Sequence, residues 1–282
     1  MKIGLNIVPV ATPKMLEATR LCEELGFESV WIGEHIVLPM EPSKPYPYGE
    51  ASFRPRTPFL EPFVALSHLA AGTEKIRLGT GICILPARSF FPTARAIMTL
   101  DVMSGGRLDL GVGVGWSEDE FRLTGTDFNT RGQRMDEYLD ALEALWQQDE
   151  PSFHGKFLDF DRVAFEPKPI QTPRVAVHVG GFAPAALRRA AQRGDGWYGS
   201  ANSPEEAKAS IDTINKMLIE QGRDPRQFLQ TVMLWSPPDK ATVEAYAAVG
   251  VDRIIATPFN YPKSEPDPLG KIRDFARHCG LV

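Results

Sequence analysis

Cysteine is scarce in this sequence, and its spacing suits neither a metal site nor a redox pair. The three cysteines are Cys22, Cys83 and Cys279. An odd number of widely separated cysteines is unusual for a secreted, disulfide-linked domain. We therefore expect three buried free thiols and a reducing, cytoplasmic location.

Long hydrophobic runs and an excess of basic charge are also missing. No segment approaches the ~20 consecutive apolar residues of a membrane span, and Met1 leads into the strand-like sequence KIGLNIV rather than into a signal peptide. The formal net charge is −5, which provides no basic footprint for nucleic acid. These absences predict a soluble protein with neither a membrane partner nor a nucleic-acid partner.

Several catalytic motifs are absent as well. The sequence contains no HExxH, no CxxC, no P-loop and no GxSxG nucleophile elbow. Metalloprotease, phosphoryl-transfer and α/β-hydrolase chemistry therefore have no support, and we predict no metal ligands.

The most informative stretch that is present, Ile76–Trp116, contains one complete strand–helix–strand unit. Ile76–Leu85 is an apolar run typical of a strand that is covered on both faces. A helix is predicted from Pro92 to the stop signal Ser104–Gly106. The next strand is predicted over Leu108–Val114, before a glycine.

The same pattern repeats along the chain. The predicted strands are Lys2–Val8, Ser29–Gly33, Ile76–Leu85, Leu108–Val114, Val175–Val179, Gly196–Gly199, Phe228–Leu234 and Arg253–Ala256. The predicted helices are Pro13–Leu25, Glu61–Ala71, the one from Pro92, Gln133–Gln148, Pro184–Arg193, Pro204–Gln221, Asp239–Val249 and one near Leu269–His278. Eight strand–helix pairs in about 250 residues predict an α/β fold, the (β/α)8 TIM barrel. We expect a single domain over residues 1–282.

A doubly wound open sheet is the competing architecture, because it also alternates strands and helices. Such a fold would carry a dinucleotide-binding fingerprint after its first strand. Here the sequence Val8-Pro9-Val10-Ala11 contains no glycine. The barrel is therefore the favoured prediction.

Two segments exceed a minimal barrel. Ile36–Thr57, the long loop after strand two, contains five prolines and is too long for a simple connection. Glu150–Thr172 is predicted as a hairpin insertion before strand five, with FHGKFLDF and VAFEP as its arms. Loops that follow strands build the active face of a barrel. The first segment is therefore a candidate substrate lid, with a structural flap or dimer contact as the alternative.

Ordered motifs between Met1 and Trp197 resemble those of one family. They are VWIGEH, RLGTGICILPAR, TLDVMSGGRLDLGVGVGWSEDEF, RGQRMDEYLDALEALW, FEPKPIQ and VGGFAPAALRRAAQRGDGW. Together they resemble the bacterial luciferase-like superfamily, and within it oxidoreductases that depend on coenzyme F420. The resemblance implies hydride transfer between F420 and an organic substrate. An FMN-dependent two-component monooxygenase and a non-catalytic flavin-binding barrel are the alternatives.

A deazaflavin or flavin needs an apolar wall, a close backbone approach and a site for phosphate. Strand five ends at Gly180-Gly181-Phe182-Ala183, and Pro184 then opens a helix whose free N–H groups favour an anion. By spacing alone, a tight turn without a ligand is the more frequent case. Joined to the family pattern, the turn is the predicted phosphate site, and Arg188 and Arg189 could add charge.

The resemblance implies further cofactor contacts on the third, fourth and fifth strands. In relatives the third strand has a non-proline cis peptide that supports the ring from behind, and Gly81-Ile82 is the matching dipeptide here. The plain alternative is that Gly81 makes room in an ordinary strand. The remaining predicted contacts are Thr80, Gly115 and Val179.

Glu34 and His35 end strand two, at the rim where barrel enzymes do their chemistry. The resemblance places both against the cofactor, with the carboxylate behind the imidazole, although relatives often have Asp rather than Glu. Imidazole titrates near ~6.5, so His35 is the predicted catalytic acid–base group, with a structural role as the alternative.

Trp116 stands where the sugar-phosphate dehydrogenase branch of the superfamily has a catalytic glutamate. The proton-transfer role of that glutamate therefore does not carry over, and we predict Trp116 as a substrate-binding wall. Glu118 and Glu120 follow shortly after, in a segment predicted to fold into a short helical turn. We expect both carboxylates at the surface.

The resemblance also predicts partners. Luciferase-like barrels commonly pair through helices beside strands two and three, which predicts a homodimer. The apolar side chains that could be shared are Phe63, Leu66, Leu69, Ile97 and Met98. The other candidate partners are a small-molecule substrate and a reductase that supplies reduced cofactor.

Overall fold

The computed structural model describes residues 1–47, 53–200, 203–259 and 265–282. The strands in these ranges are β1 (Lys2–Asn6), β2 (Ser29–Ile32), β3 (Arg77–Thr80), β4 (Leu108–Val112), β5 (Phe153–His154), β6 (Asp159–Phe160), β7 (Ala176–Gly180), β8 (Gly196–Ser200), β9 (Leu229–Leu234) and β10 (Arg253–Ala256). All except β5 and β6 form one closed parallel barrel, in which β10 pairs with β1. The predicted TIM barrel is confirmed.

Helices follow every barrel strand. They are α1 (Met15–Glu24), α2 (Pro62–Ala70), α3 (Phe90–Met103), α4 (Glu118–Thr124), α5 (Arg131–Gln147), α6 (Pro184–Arg193), α7 (Pro204–Glu220), α8 (Lys240–Ala248) and α9 (Pro268–His278). None of these described helices is both long and apolar enough to cross a membrane.

The barrel strands are buried on both faces, as their apolar composition predicted. All five residues of β4 are buried. Side chains alternate along a strand, so Leu108, Leu110 and Val112 join the core between barrel and helices, while Asp109 points into the barrel. Local sequence signals set the helix boundaries. The carboxylate of Glu61, for example, accepts a 2.7 Å hydrogen bond from the Val64 amide and caps α2.

The apolar run Ile76–Leu85 is not one strand. Strand β3 ends at Thr80, the Gly81-Ile82 peptide is cis, and Leu85–Ala87 forms a 3₁₀ turn. The residues beyond Thr80 are apolar because they pack beneath a cavity. The backbone of Cys83 still forms one isolated parallel β-bridge with Val112 of β4. Hydrophobicity reports burial here rather than extended backbone.

Two predicted boundaries beside that run also need correction. The helix α3 begins at Phe90 rather than Pro92, because Ser89 has an extended backbone and occupies the N-cap position. Strand β4 ends at Val112 rather than Val114, because the chain turns there to line the cavity.

The two insertions are present, with one correction. Residues 48–52 of the predicted lid lie outside the described residues. In the hairpin, β5 pairs antiparallel with β6, so both arms fall within FHGKFLDF and VAFEP is not an arm. The carboxylate of Glu137 on α5 fixes the turn by accepting hydrogen bonds from the amides of residues 156–158, at 2.6–2.9 Å. Phe165 of VAFEP packs into the core instead, at 4 % exposure.

The three thiols are free, as predicted, but burial differs among them. Cys22 and Cys83 are buried and Cys279, just after α9, is half-buried. Burial raises the pKa of Cys279 to about 11, so this thiol is protonated at neutral pH.

The side chains expected at a dimer interface are already buried within this chain. Phe63, Leu66 and Leu69 on α2, and Ile97 and Met98 on α3, are at most 2 % exposed. A homodimer would therefore need other residues of these helices, and the homodimer stays a prediction.

Candidate active site

A cavity opens at the carboxyl ends of the barrel strands, where (β/α)8 enzymes carry their active sites. The space between its walls, counted with the open solvent at its mouth, is about 1220 Å³. All predicted site residues except Thr80 and Val179 line it: Glu34, His35, Gly81, Ile82, Gly115, Trp116, Gly180, Gly181, Phe182 and Ala183.

Thr80 and Val179 lie below the cavity. The hydroxyl of Thr80 donates a 2.7 Å hydrogen bond to the Gly111 carbonyl and ties β3 to β4. Val179 is 1 % exposed and belongs to the core around the barrel. Neither residue lines the cavity, and their cofactor contacts stay predictions.

The floor of the cavity is apolar and closely packed against glycine backbone. Ile82 follows the cis peptide that the resemblance predicted. A Cβ on Gly113 would lie 2.4 Å from the Ile82 side chain, and a Cβ on Gly180 would lie 3.3 Å from it. Because Gly113 and Gly180 have no Cβ, the Ile82 side chain packs directly against their backbone. This packing provides an apolar surface on which a planar ring can lie.

The turn from β7 into α6 places a helix start at the cavity wall. Gly181 has φ +111°, a conformation that favours glycine, and its carbonyl accepts a 2.7 Å hydrogen bond from the Trp197 indole N–H. The N-cap residue is Ala183, whose side chain carries no acceptor. The first-turn amides and the helix dipole therefore favour an anion at this point.

The arginines suggested for this turn are not part of the cavity wall. Arg189 is 7 % exposed, and its Nε lies 2.6 Å from Oδ1 of Asp136 on α5. Arg188 is exposed. Arg189 packs α6 against α5, so any anion at the turn would rely on backbone N–H groups.

His35 forms a close pair with Glu120, which we expected at the surface. His35 Nδ1 lies 2.9 Å from Glu120 Oε2, and the two side chains are 8 % and 1 % exposed. The other oxygen, Oε1, accepts hydrogen bonds from the amides of Ile36 at 2.6 Å and Val37 at 3.3 Å. A carboxylate at Nδ1 selects the tautomer that keeps Nε2 for the cavity.

The surface prediction failed for Glu120 because α4 turns one side of its first turn inward. Glu120 and Phe121 are buried, whereas the side chain of Glu118 is 48 % exposed. Sequence spacing gives no sign of a contact between positions 35 and 120. The apolar Phe121 beside Glu120 was the available signal that this side of the turn is buried.

Glu34 does not stand behind the imidazole. Its carboxylate accepts a 2.5 Å hydrogen bond from the Ile84 amide and pairs with the Arg88 guanidinium, with Nε at 3.0 and 3.1 Å. Although burial lowers it, the pKa of Arg88 stays above its usual value because of the hydrogen bond and charge of Glu34 and the charge of Glu61. The longer side chain of Glu ties β2 to the segment after β3, and Glu120 takes the position behind His35.

Trp116 lies on the cavity wall beside the imidazole. Its ring centroid is 5.8 Å from that of His35, edge to face. Tyr46, Phe53 and Phe59, from the loop after β2 and the segment leading into α2, line the same side. Sequence reasoning had not singled them out, although the aromatic content of the loop was a signal.

Known proteins with similar sequences indicate the family to which this chain belongs. The luciferase-like monooxygenase family model matches residues 9–272. An uncharacterized protein of Mycobacterium tuberculosis is 35% identical over 208 residues, 72% of this chain and 71% of that protein. The FMNH2-dependent dimethylsulfone monooxygenase of Pseudomonas putida is 34% identical over 163 residues, 56% of this chain and 45% of that enzyme.

Solved structures show the same fold. An F420-dependent secondary alcohol dehydrogenase, in complex with an F420-acetone adduct, aligns with a TM-score of 0.79 and 19% identity over 100% of this chain and 98% of that one. At 19% identity, this structural similarity is evidence for a shared fold only. The family model, which spans most of the chain, confirms the resemblance seen in the motifs. The chain belongs to the luciferase-like monooxygenase family.

Proposed function

We propose that this protein is an oxidoreductase that binds coenzyme F420 in the cavity and transfers a hydride between it and an organic substrate. The observation that carries the proposal is the His35–Glu120 pair, which presents one imidazole to a cavity with a mostly apolar wall. Hydride transfer to a carbonyl carbon requires a proton donor at the oxygen, and hydride transfer from the carbon of an alcohol requires a proton acceptor there. Among the described lining residues, His35 carries the imidazole, the side-chain type that most often acts as a general acid or base.

The residues present fit a flat cofactor with an anionic tail. Ile82, laid over glycine backbone, would support the ring system, and the start of α6 would hold a phosphate through backbone N–H groups. A side chain at Gly113 would collide with Ile82. The close packing is therefore part of the site.

When bound, the deazaflavin supplies or accepts the hydride. His35 Nε2 would donate a proton to the substrate oxygen during reduction and take one during oxidation. Glu120 holds the imidazole through Nδ1 and stabilises the imidazolium that forms during oxidation. The walls around the pair keep water from the exchange.

Parallel titrations of the purified protein with F420 and FMN test the proposal, followed by turnover without oxygen. We expect tighter binding of F420 and substrate-dependent oxidation of reduced F420 in the absence of oxygen. Tighter binding of FMN, with product formed when oxygen is supplied, would contradict it. Tight cofactor binding without turnover across a broad panel would indicate a non-catalytic barrel.

The second candidate is an FMN-dependent monooxygenase. Its support is the 34% identity to the FMNH2-dependent dimethylsulfone monooxygenase. In that case a separate reductase would supply reduced FMN. The titration above distinguishes the two candidates directly.

A further inference from the structure

Aromatic rings surround His35 on the mouth side of the cavity. We call Tyr46, Phe53, Phe59 and Trp116 the aromatic cluster. The ring centroids of Phe53 and Phe59 lie 4.7 and 5.1 Å from that of His35, and the rings of Tyr46 and Trp116 lie 5.2 Å apart. The cluster brackets the one lining imidazole of the described residues.

The charges that face this half of the cavity are few and mostly negative. Apart from His35, Glu34 is the charged side chain among the lining residues that the structure describes, and Arg88 neutralises it from behind. Glu120 lies directly behind His35. No lysine or arginine belongs to the described part of the wall.

Neutral polar groups complete the wall. Asn6 is already engaged, since it donates to the Thr257 hydroxyl at 3.3 Å and accepts from the Val8 amide at 3.2 Å. Burial keeps the pKa of the Tyr198 phenol above its usual value, so the phenol is uncharged. An anion beside His35 would therefore approach the Glu34 and Glu120 carboxylates and find no lysine or arginine on the described wall, while any positive charge on the imidazole is already compensated by Glu120.

We propose that the aromatic cluster and His35 form a substrate site for uncharged, largely apolar molecules that carry one carbonyl or hydroxyl group, and that this site rejects carboxylates of the same shape. The nature of the reacting group rests on the proposed function. The selection against negative charge rests on the described wall alone.

The physical reason is desolvation. A carboxylate that enters the cluster loses its water without gaining a cationic partner, which is far costlier than burial of a carbonyl group. A flat apolar molecule loses little, because aromatic faces and edges pack against it. The His35 imidazole then provides the polar contact for one substrate oxygen.

The first experiment compares two ligands that differ in charge rather than shape, 4-phenyl-2-butanone and 3-phenylpropanoate. Binding is measured by calorimetry on the full chain, both loaded with the cofactor that the titrations select and cofactor-free with inorganic phosphate present to occupy the turn before α6. We expect the ketone to bind at least about 100-fold more tightly than the carboxylate, since tenfold corresponds to 1.4 kcal/mol. Equal or tighter binding of the carboxylate, or no binding of the ketone, would overturn the inference.

The second experiment adds the missing charge. Phe53→Arg places a cation on the wall, so it should raise the affinity for 3-phenylpropanoate at least about tenfold and lower that for the ketone. The matched control Phe53→Leu should weaken ketone binding without improving carboxylate binding. An unchanged carboxylate affinity in folded Phe53→Arg would show that missing charge is not the cause of rejection.

The two proposals fail separately. If neither F420 nor FMN binds, the proposed function is wrong, while the ligand comparison on the cofactor-free protein still decides the substrate class. If a cofactor binds and the carboxylate is preferred, the substrate class is wrong and the proposed function stands.

Discussion

Two histidine–carboxylate pairs occupy the same barrel at different depths. His35 and Glu120 lie beside the cavity, with Nδ1 and Oε2 2.9 Å apart. His178 and Asp109 lie inside the barrel, with Nε2 and Oδ1 3.5 Å apart, and His178 does not line the cavity. His178 therefore fills the barrel interior, at 2 % exposure.

The lower pair is enclosed by other charges. Arg77 Nη2 lies 2.6 Å from Asp109 Oδ1, and Arg253 Nη2 lies 3.0 Å from Oδ2. Burial pushes the pKa of Asp109 up, but Arg253, His178 and Arg77 outweigh it and hold the pKa well below its usual value. Neither ring nitrogen of His178 has a hydrogen-bond partner among the described residues, so access to the cavity is what distinguishes the upper pair. Residue types alone therefore do not identify a catalytic pair.

The largest effect should come from removal of the upper imidazole. His35→Ala should lower kcat by about 10²–10⁴-fold, the range for a positioned acid–base group, with little change in cofactor affinity. Steady-state kinetics and cofactor titration on one preparation measure both quantities. His178→Ala, the matched control, should lower the Tm and leave kcat of the folded protein within a few-fold.

The opposite pattern would remove the distinction between the two pairs. If His35→Ala weakens cofactor binding and leaves kcat nearly intact, the imidazole is a packing contact. The acid–base role would then be wrong.

The next effect is on stability and concerns the lower pair. Asp109→Asn should lower the free energy of unfolding by about 3–5 kcal/mol at pH 7, because Arg253 and Arg77 lose their buried partner. Urea denaturation measures the loss. Asp212→Asn is the control, since Asp212 and its partner Lys208 are 60 % and 55 % exposed, and it should cost much less.

The pH dependence of the loss in unfolding free energy tests the direction of the Asp109 pKa shift. A carboxyl group with a lowered folded pKa stabilises the protein above its unfolded pKa of about 3.9, and the contribution disappears as pH falls through the folded value. The difference between wild type and Asp109→Asn should therefore be constant near neutral pH and shrink below about pH 4. A difference that grows on acidification would contradict the direction assigned to Asp109.

A smaller effect should follow from changing the carboxylate of the upper pair. Glu120→Gln can still accept hydrogen bonds from the amides of Ile36 and Val37, so the loop stays held while the imidazole loses its carboxylate. We expect a kcat about 10–100-fold lower, comparable to other orienting partners, with KM and cofactor affinity unchanged. Glu118→Gln, which affects an exposed ion pair with Lys44, should leave kcat unaltered; equal losses in both variants would exclude a positioning role for Glu120.

The smallest effect concerns how the two regions bind negative charge. Arg77 and Arg253 pair with Asp109 inside the barrel, whereas the turn before α6 has backbone N–H groups for an anion. Gly181→Asp should weaken cofactor binding about tenfold more than Gly181→Asn, because both side chains strain the same positive φ but one repels a phosphate. Equal affinities of the two folded variants in a fluorescence titration would place the phosphate elsewhere.

Sequence reasoning reached most of the fold, because alternating apolar and amphipathic segments report burial reliably. It misjudged the end of β3, since residues 83–85 are as buried as strand residues without forming part of β3. It placed His35 and Trp116 at the cavity from their positions after strands. It missed Glu120, because a pair separated by 85 positions depends on how α4 packs and not on local pattern.

The closure of the barrel has a consequence for synthesis of the chain. Arg253 on the last strand lies 2.6 Å from Glu28 and 3.0 Å from Asp109, two carboxylates that leave the ribosome long before it. Until β10 arrives, those carboxylates have no Arg253 and β1 has no neighbour on one edge. The edge of β1 and the two carboxylates therefore depend on the same late-synthesised strand, and the barrel can close only once β10 has been made.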